Sequence, residues 1–110
     1  MREPWSIPAE LSPRGREAAE LIYNFLDERE MTYTGGCIPL RSPREHRDVF
    51  GEDYGNDSEL LIIHDGGNHA PAFNYAYEDD ETRAALAELL EGFGYHIEQC
   101  TSFYSAVYWR

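Results

Sequence analysis

The chain has 110 residues, with 21 Asp and Glu against nine Arg and no Lys, a formal charge of -12. That length fits one domain with its own core, and such acidity opposes nucleic-acid phosphates and anionic lipid while favouring basic surfaces. A hydrophobic fraction of 42% with 15 aromatic side chains predicts a packed globule rather than a disordered chain.

Residues 1–11 read as an extended arm leading into a single domain over 12–110. Pro4 and Pro8 bar a helix there, and Trp5 and Ile7 are available to dock. The start lacks the apolar stretch of a signal peptide, and the aliphatic run Leu60–Ile63 is far too short to span a bilayer. The expected setting is cytoplasmic. Two cysteines, Cys37 and Cys100, are too few for a disulfide framework and are expected to be reduced and buried, with one bridge between them left open.

Ser12-Pro13 has the form of an N-cap followed by proline at the first helical position. Ala18, Ile22, Phe25 and Leu26 then recur at helical spacing, opposite Arg16, Glu20, Asp27 and Glu28, so a helix is predicted over about 13–29. Met31 to Thr34 is β-prone, and Gly35-Gly36 marks a bend before Cys37. Ser42-Pro43-Arg44-Glu45 forms a capping box that should open a short helix ending near Phe50-Gly51.

Glu59 to His64 is the clearest strand. Asp65-Gly66-Gly67-Asn68 reads as a tight turn into a return strand from His69 to Tyr77, with Phe73, Tyr75 and Tyr77 on one face and Ala70, Ala72 and Ala76 on the other. Glu78-Asp79-Asp80 suits the N-terminus of a further helix, with the apolar stripe Leu86, Leu89, Leu90 and Phe93 and an end at Gly92 or Gly94. Tyr95–Cys100 and Phe103–Trp109 read as two strands joined by a turn at Thr101-Ser102. The expected fold is α+β: a two-layer sandwich with an antiparallel or mixed sheet of about five strands, and two main helices plus one short helix on one face.

Four constellations are candidates for chemistry. The predicted hairpin sets His64 opposite His69, close enough to share a divalent metal or to divide acid and base roles, with His46, His96 or Glu98 as a third ligand. Cys37 after two glycines is a candidate nucleophile. Arg41, Arg44 and Arg47, with His46, form the one basic segment and a candidate anion site, although neighbouring carboxylates account for it more simply. Phe73, Tyr75 and Tyr77, with Tyr104 and Tyr108, form a candidate aromatic surface for a partner or ligand; core packing is the competing explanation. No phosphate loop, dinucleotide fingerprint, serine elbow or zinc helix is present.

These features point first to a small, non-enzymatic interaction or regulatory protein that binds a basic protein surface, including an inhibitor that mimics nucleic-acid charge. Direct nucleic-acid or membrane binding is not expected. The second reading is a metal-dependent or ligand-binding enzyme built on His64 and His69. The third is a homo-oligomer pairing through the C-terminal strand, read as a sheet edge.

Overall fold

A computed structural model describes residues 5–34, 39–43, 58–64, 67–77, 79–100 and 104–109, the side chain of Tyr75 aside. The Cys37 proposal, Arg44, Arg47, His46, Asp65 and the short helix expected beyond Pro43 lie outside the described residues.

The first helix forms where capping and periodicity agree. In α1 (Pro13–Glu28), Ser12 is extended and its Oγ accepts the Gly15 amide at 3.0 Å. Ala18, Ala19, Ile22, Phe25 and Leu26 are buried along one side. Burying Ile22 and Leu26 completely contributes about 1.5–3 kcal/mol each. At the other end Glu30 takes φ 56°, and the Met31 amide reaches back to the Leu26 carbonyl at 2.9 Å, which stops the helix. Gly15 allows α1 to approach the backbone beside the central strand: a Cβ there would lie 2.4 Å from the Glu59 carbonyl oxygen. Ser12 Oγ also donates to Glu59 Oε2 at 2.5 Å.

Among the described residues the sheet has four strands: β1 (Leu40–Arg41), β2 (Leu60–Ile63), β3 (Tyr95–Gln99) and β4 (Tyr104–Trp109). Their order is β1-β2-β4-β3, and every neighbouring pair is antiparallel. The second helix, α2 (Asp80–Gly92), is capped by Asp79, whose Oδ1 accepts the Thr82 amide at 3.2 Å. The fold is thus α+β, with two helices and a four-stranded antiparallel sheet among the described residues.

Two sequence expectations are corrected here. Residues 69–77 are not a strand. They form two single turns of 3₁₀ helix, Ala70–Ala72 and Tyr75–Tyr77. Pro71 has no amide for a ladder and suits a first helical turn, alanine is a weak strand former, and Asn74 Oδ1 accepts the Ala76 amide at 2.9 Å, closing a local turn. Both edges of β2 are also occupied, by β1 and β4, which leaves no lane for a return strand. The C-terminal strand, in turn, is not an edge. β4 pairs with β2 on one side and β3 on the other, so its backbone groups are already used inside the sheet and it is not open to a second copy.

The central strands are buried on both faces. Leu60, Ile62, Tyr95 and Val107 belong to the main core with α1 and with Leu86 and Leu90 of α2. Leu61, Ile63, Tyr104 and Ala106 form a second cluster, with Tyr108 and Cys100 packed against it. An unbroken Leu-Leu-Ile-Ile run is what a strand without a wet face requires. Trp5 is buried, and its Nε1 donates to the Thr32 carbonyl at 3.0 Å. Residues 31–34 stay outside the sheet and receive such contacts instead, the Asn68 amide reaching the Tyr33 carbonyl at 2.6 Å.

The β3–β4 end is tied to α1. The Tyr95 hydroxyl lies 2.6 Å from Glu17 Oε1 and 2.9 Å from the Arg14 carbonyl, and Arg14 stacks over the Trp109 ring at 4.1 Å. Gly94 turns into β3 at φ 92°, with Trp109 so close that a Cβ would meet its ring at 2.8 Å.

Candidate functional site

Each histidine of the expected metal pair is buried and committed to a separate bond. His69 Nε2 lies 2.7 Å from the Ile63 carbonyl oxygen. A carbonyl only accepts, so this nitrogen carries the proton and has no lone pair for a metal. The other nitrogen has no room: a Cβ on Gly67 would lie 2.4 Å from His69 Nδ1. Trp5 meets the ring edge-on at 5.2 Å. Burial, the largest influence, pushes the His69 pKa below its ordinary value; the Ile63 and Tyr33 carbonyls oppose that shift.

His64 points elsewhere. Its Nε2 is 3.0 Å from Ser105 Oγ, and its ring stacks on Phe73 at 5.5 Å with planes 9° apart. The two proposed third ligands within the described residues, His96 and Glu98, pair with each other at 3.0 Å on the outer strand β3. They stand opposite Tyr108 and Ala106, on the sheet face away from Ser105. Among the described residues no cluster of three His, Cys, Asp or Glu could hold a metal ion.

The expected aromatic surface also separates. Phe73 and Tyr104 are buried, 3% and 0% exposed, whereas Tyr77 is 50% exposed and Tyr108 is half-buried. Phe73 and Tyr77 share no strand, because 69–77 coils into turns; Tyr104 and Tyr108 do share the second face of β4. Arg41 lies on the short strand β1, opposite Leu61. Cys100 is half-buried, with Sγ 3.9 Å from the Glu98 carbonyl.

The His64–Ser105 bond leads to a small cleft that sequence reasoning did not find. It has a volume of about 70 Å³ and lies between the turn at 69–74, α2 and the β3–β4 pair. Ala72, Phe73, Ala87 and Ile97 form its apolar walls, and Arg83, Gln99 and Ser105 supply its polar groups. Gln99 and Ser105 are direct partners across β3 and β4. Gln99 Nε2 donates to Asn74 Oδ1 at 3.2 Å, and Arg83 Nη1 donates to the Asn74 carbonyl at 3.4 Å. Arg83 Nη2 also binds Asp80 Oδ1. A polar seam therefore runs from buried His64 out to the surface of α2.

The larger opening lies between the helices. A groove of about 420 Å³ is lined by Leu21, Asn24, Phe25, Glu28 and Arg29 from the α1 side and by Ala85, Leu89 and Phe93 from the α2 side. These positions follow i, i+3, i+4 and i, i+4, i+8 spacings, so each helix offers one continuous stripe. Phe93 is 48% exposed. Arg29 lies across one end, its guanidinium 3.7 Å from the Phe25 ring centroid. Ten Asp and Glu side chains against four Arg occupy residues 13–30 and 79–93, which carry the groove.

This surface had a partial signal in the sequence. The apolar stripe Leu86, Leu89, Leu90 and Phe93 on α2 is wider than one buried seam needs; the core takes Leu86 and Leu90 and leaves Leu89 half-buried. Comparison with protein-family models, curated proteins and solved structures finds no match to this chain. Among the described residues, no helix is long and apolar enough to cross a membrane.

Proposed function

We propose that the protein is a non-enzymatic binding protein that receives a basic amphipathic segment of a protein partner in the groove between α1 and α2. The supporting observation is the groove itself, an open apolar floor containing Phe93, carried by helices that hold ten carboxylates against four arginines. An apolar stripe on an incoming helix would fill the floor, and its Lys and Arg would meet the acidic flanks. Basic amphipathic segments are common in nucleic-acid-binding proteins, so a charge-mimicking inhibitor fits the same arrangement. In this reading the two helices form one layer over the sheet, and the groove is that layer's outer surface.

Titration calorimetry with a synthetic helical peptide of leucine and lysine tests the proposal. Binding is expected to weaken steeply between low and physiological salt, and Phe93→Glu is expected to reduce affinity at least tenfold at fixed salt. Binding that ignores both salt and Phe93→Glu would refute it.

A further inference from the structure

We infer that the outer edge of β3 is a homodimer interface, where a second copy of this chain adds its own β3 in antiparallel register with Ile97 opposite Ile97. None of the residues that line the groove belongs to β3, so the two surfaces are independent. β3 ends the order β1-β2-β4-β3, and among the described residues no strand pairs with its outer side. It pairs with β4 at five consecutive positions, so no bulge twists the edge away. Its sequence, Tyr-His-Ile-Glu-Gln, has none of the Pro or Lys that commonly guard an edge.

One hydrogen bond fixes which way the backbone groups point. The Cys100 amide donates to the Tyr104 carbonyl at 3.0 Å, so Cys100 bonds toward β4. Along an antiparallel strand, residues that bond to the neighbour alternate with residues that point away from it. His96 and Glu98 therefore also bond toward β4, and the amide and carbonyl of Ile97 point outward. A two-fold axis at Ile97 lets the two copies of that residue exchange a pair of hydrogen bonds, with Tyr95 opposite Gln99 of the second copy on either side.

The side chains select this register. With Ile97 at the axis, His96 stands opposite Glu98 of the second copy, twice, in the non-hydrogen-bonded pairs where side chains come closest. The two side chains are 41% and 59% exposed and already meet at 3.0 Å within one strand, so the interface extends an existing pair into a network of four. An axis at Glu98 would set carboxylate against carboxylate, and an axis at His96 would set imidazole against imidazole. Each copy carries a charge of -12, so salt should strengthen this association, whereas it weakens binding of a basic partner in the groove.

Sedimentation equilibrium of the full chain, from micromolar to millimolar concentration and at low and high salt, measures the dimer. A reversible dimer that tightens with salt is expected. In hydrogen exchange the Ile97 amide should gain protection on dimerisation, while the Glu98 amide is protected in both states. His96→Glu should weaken dimerisation at least about tenfold by setting like charges opposite each other twice, and adding Glu98→His should restore it. A monomer throughout, a dimer that leaves the Ile97 amide unprotected or ignores His96→Glu, or a swapped pair that stays monomeric would overturn the inference.

Discussion

The groove between α1 and α2 and the cleft beside Ser105 handle charge in opposite ways. The groove has a largely apolar floor with Glu28 at its edge, on helices that hold ten carboxylates against four arginines; the attraction of such charges for a partner is long-range and is screened within about 8 Å at physiological salt. In the cleft, one guanidinium is nearly dry and is bonded to the Asn74 carbonyl and to Asp80. A net charge of -12 anticipates the first region and says nothing of the second. Overall charge describes what a surface attracts; the composition of a wall describes what a cavity accepts.

The largest effect that sharpens this contrast is expected from Phe73→Ala. Phe73 is 3% exposed, walls the cleft and stacks on His64. Its truncation should destabilise the fold by about 3–5 kcal/mol, measured as a lower denaturant midpoint. The cleft is thus part of the core.

An intermediate effect is expected from pH. The folded state lowers the His69 pKa, so the neutral ring is favoured on folding. Its contribution to stability is fully present above the unfolded value, about 6.5, and is lost as pH falls from there toward the folded value. The slope is at most about 1.4 kcal/mol per pH unit. Urea midpoints at pH 7.5 and 5.5 should differ less in His69→Gln than in the parent, and equal differences would remove this assignment. Binding in the groove, whose lining contains no histidine among the described residues, should change little over the same range.

The smallest effect on stability is expected from Phe93→Ala, at the end of α2 and half in solvent. The denaturant midpoint should shift by no more than about 0.5 kcal/mol equivalent. A loss of several kcal/mol would show that Phe93 is a core residue, and the groove would lose its principal feature.

Much of the fold was legible because local and global signals agreed. Ser12-Pro13 and the spacing of Ala18, Ile22 and Phe25 specify α1, Glu59 to His64 reads as a strand, and Tyr95–Cys100 and Phe103–Trp109 read as two more, although the burial of Leu60–Ile63 on both faces emerges only from the packing. In residues 69–77 alternating aromatics imitate a strand, while Pro71 and the Asn74 side chain favour tight turns. With the hairpin gone, His64 and His69 no longer face each other. The cleft was illegible for another reason: His64 meets Ser105 across 41 positions only because β2 lies beside β4, and strand order is not written in periodicity. Periodicity places Phe93 on the apolar stripe, but only the packing of Leu86 and Leu90 shows that the stripe exceeds what the core takes.

The central claim, that the acidic groove accepts a basic amphipathic segment, is tested most directly by mapping amide chemical shifts during titration with two peptides. One alternates lysine with leucine in a helical pattern; the other keeps the lysines and replaces every leucine by glutamine. The account predicts that the leucine peptide shifts Leu21, Phe25, Ala85, Leu89 and Phe93 at physiological salt and that the glutamine peptide does not. Equal shifts from both peptides, spread over the acidic surface, or shifts that avoid these five residues, would contradict it.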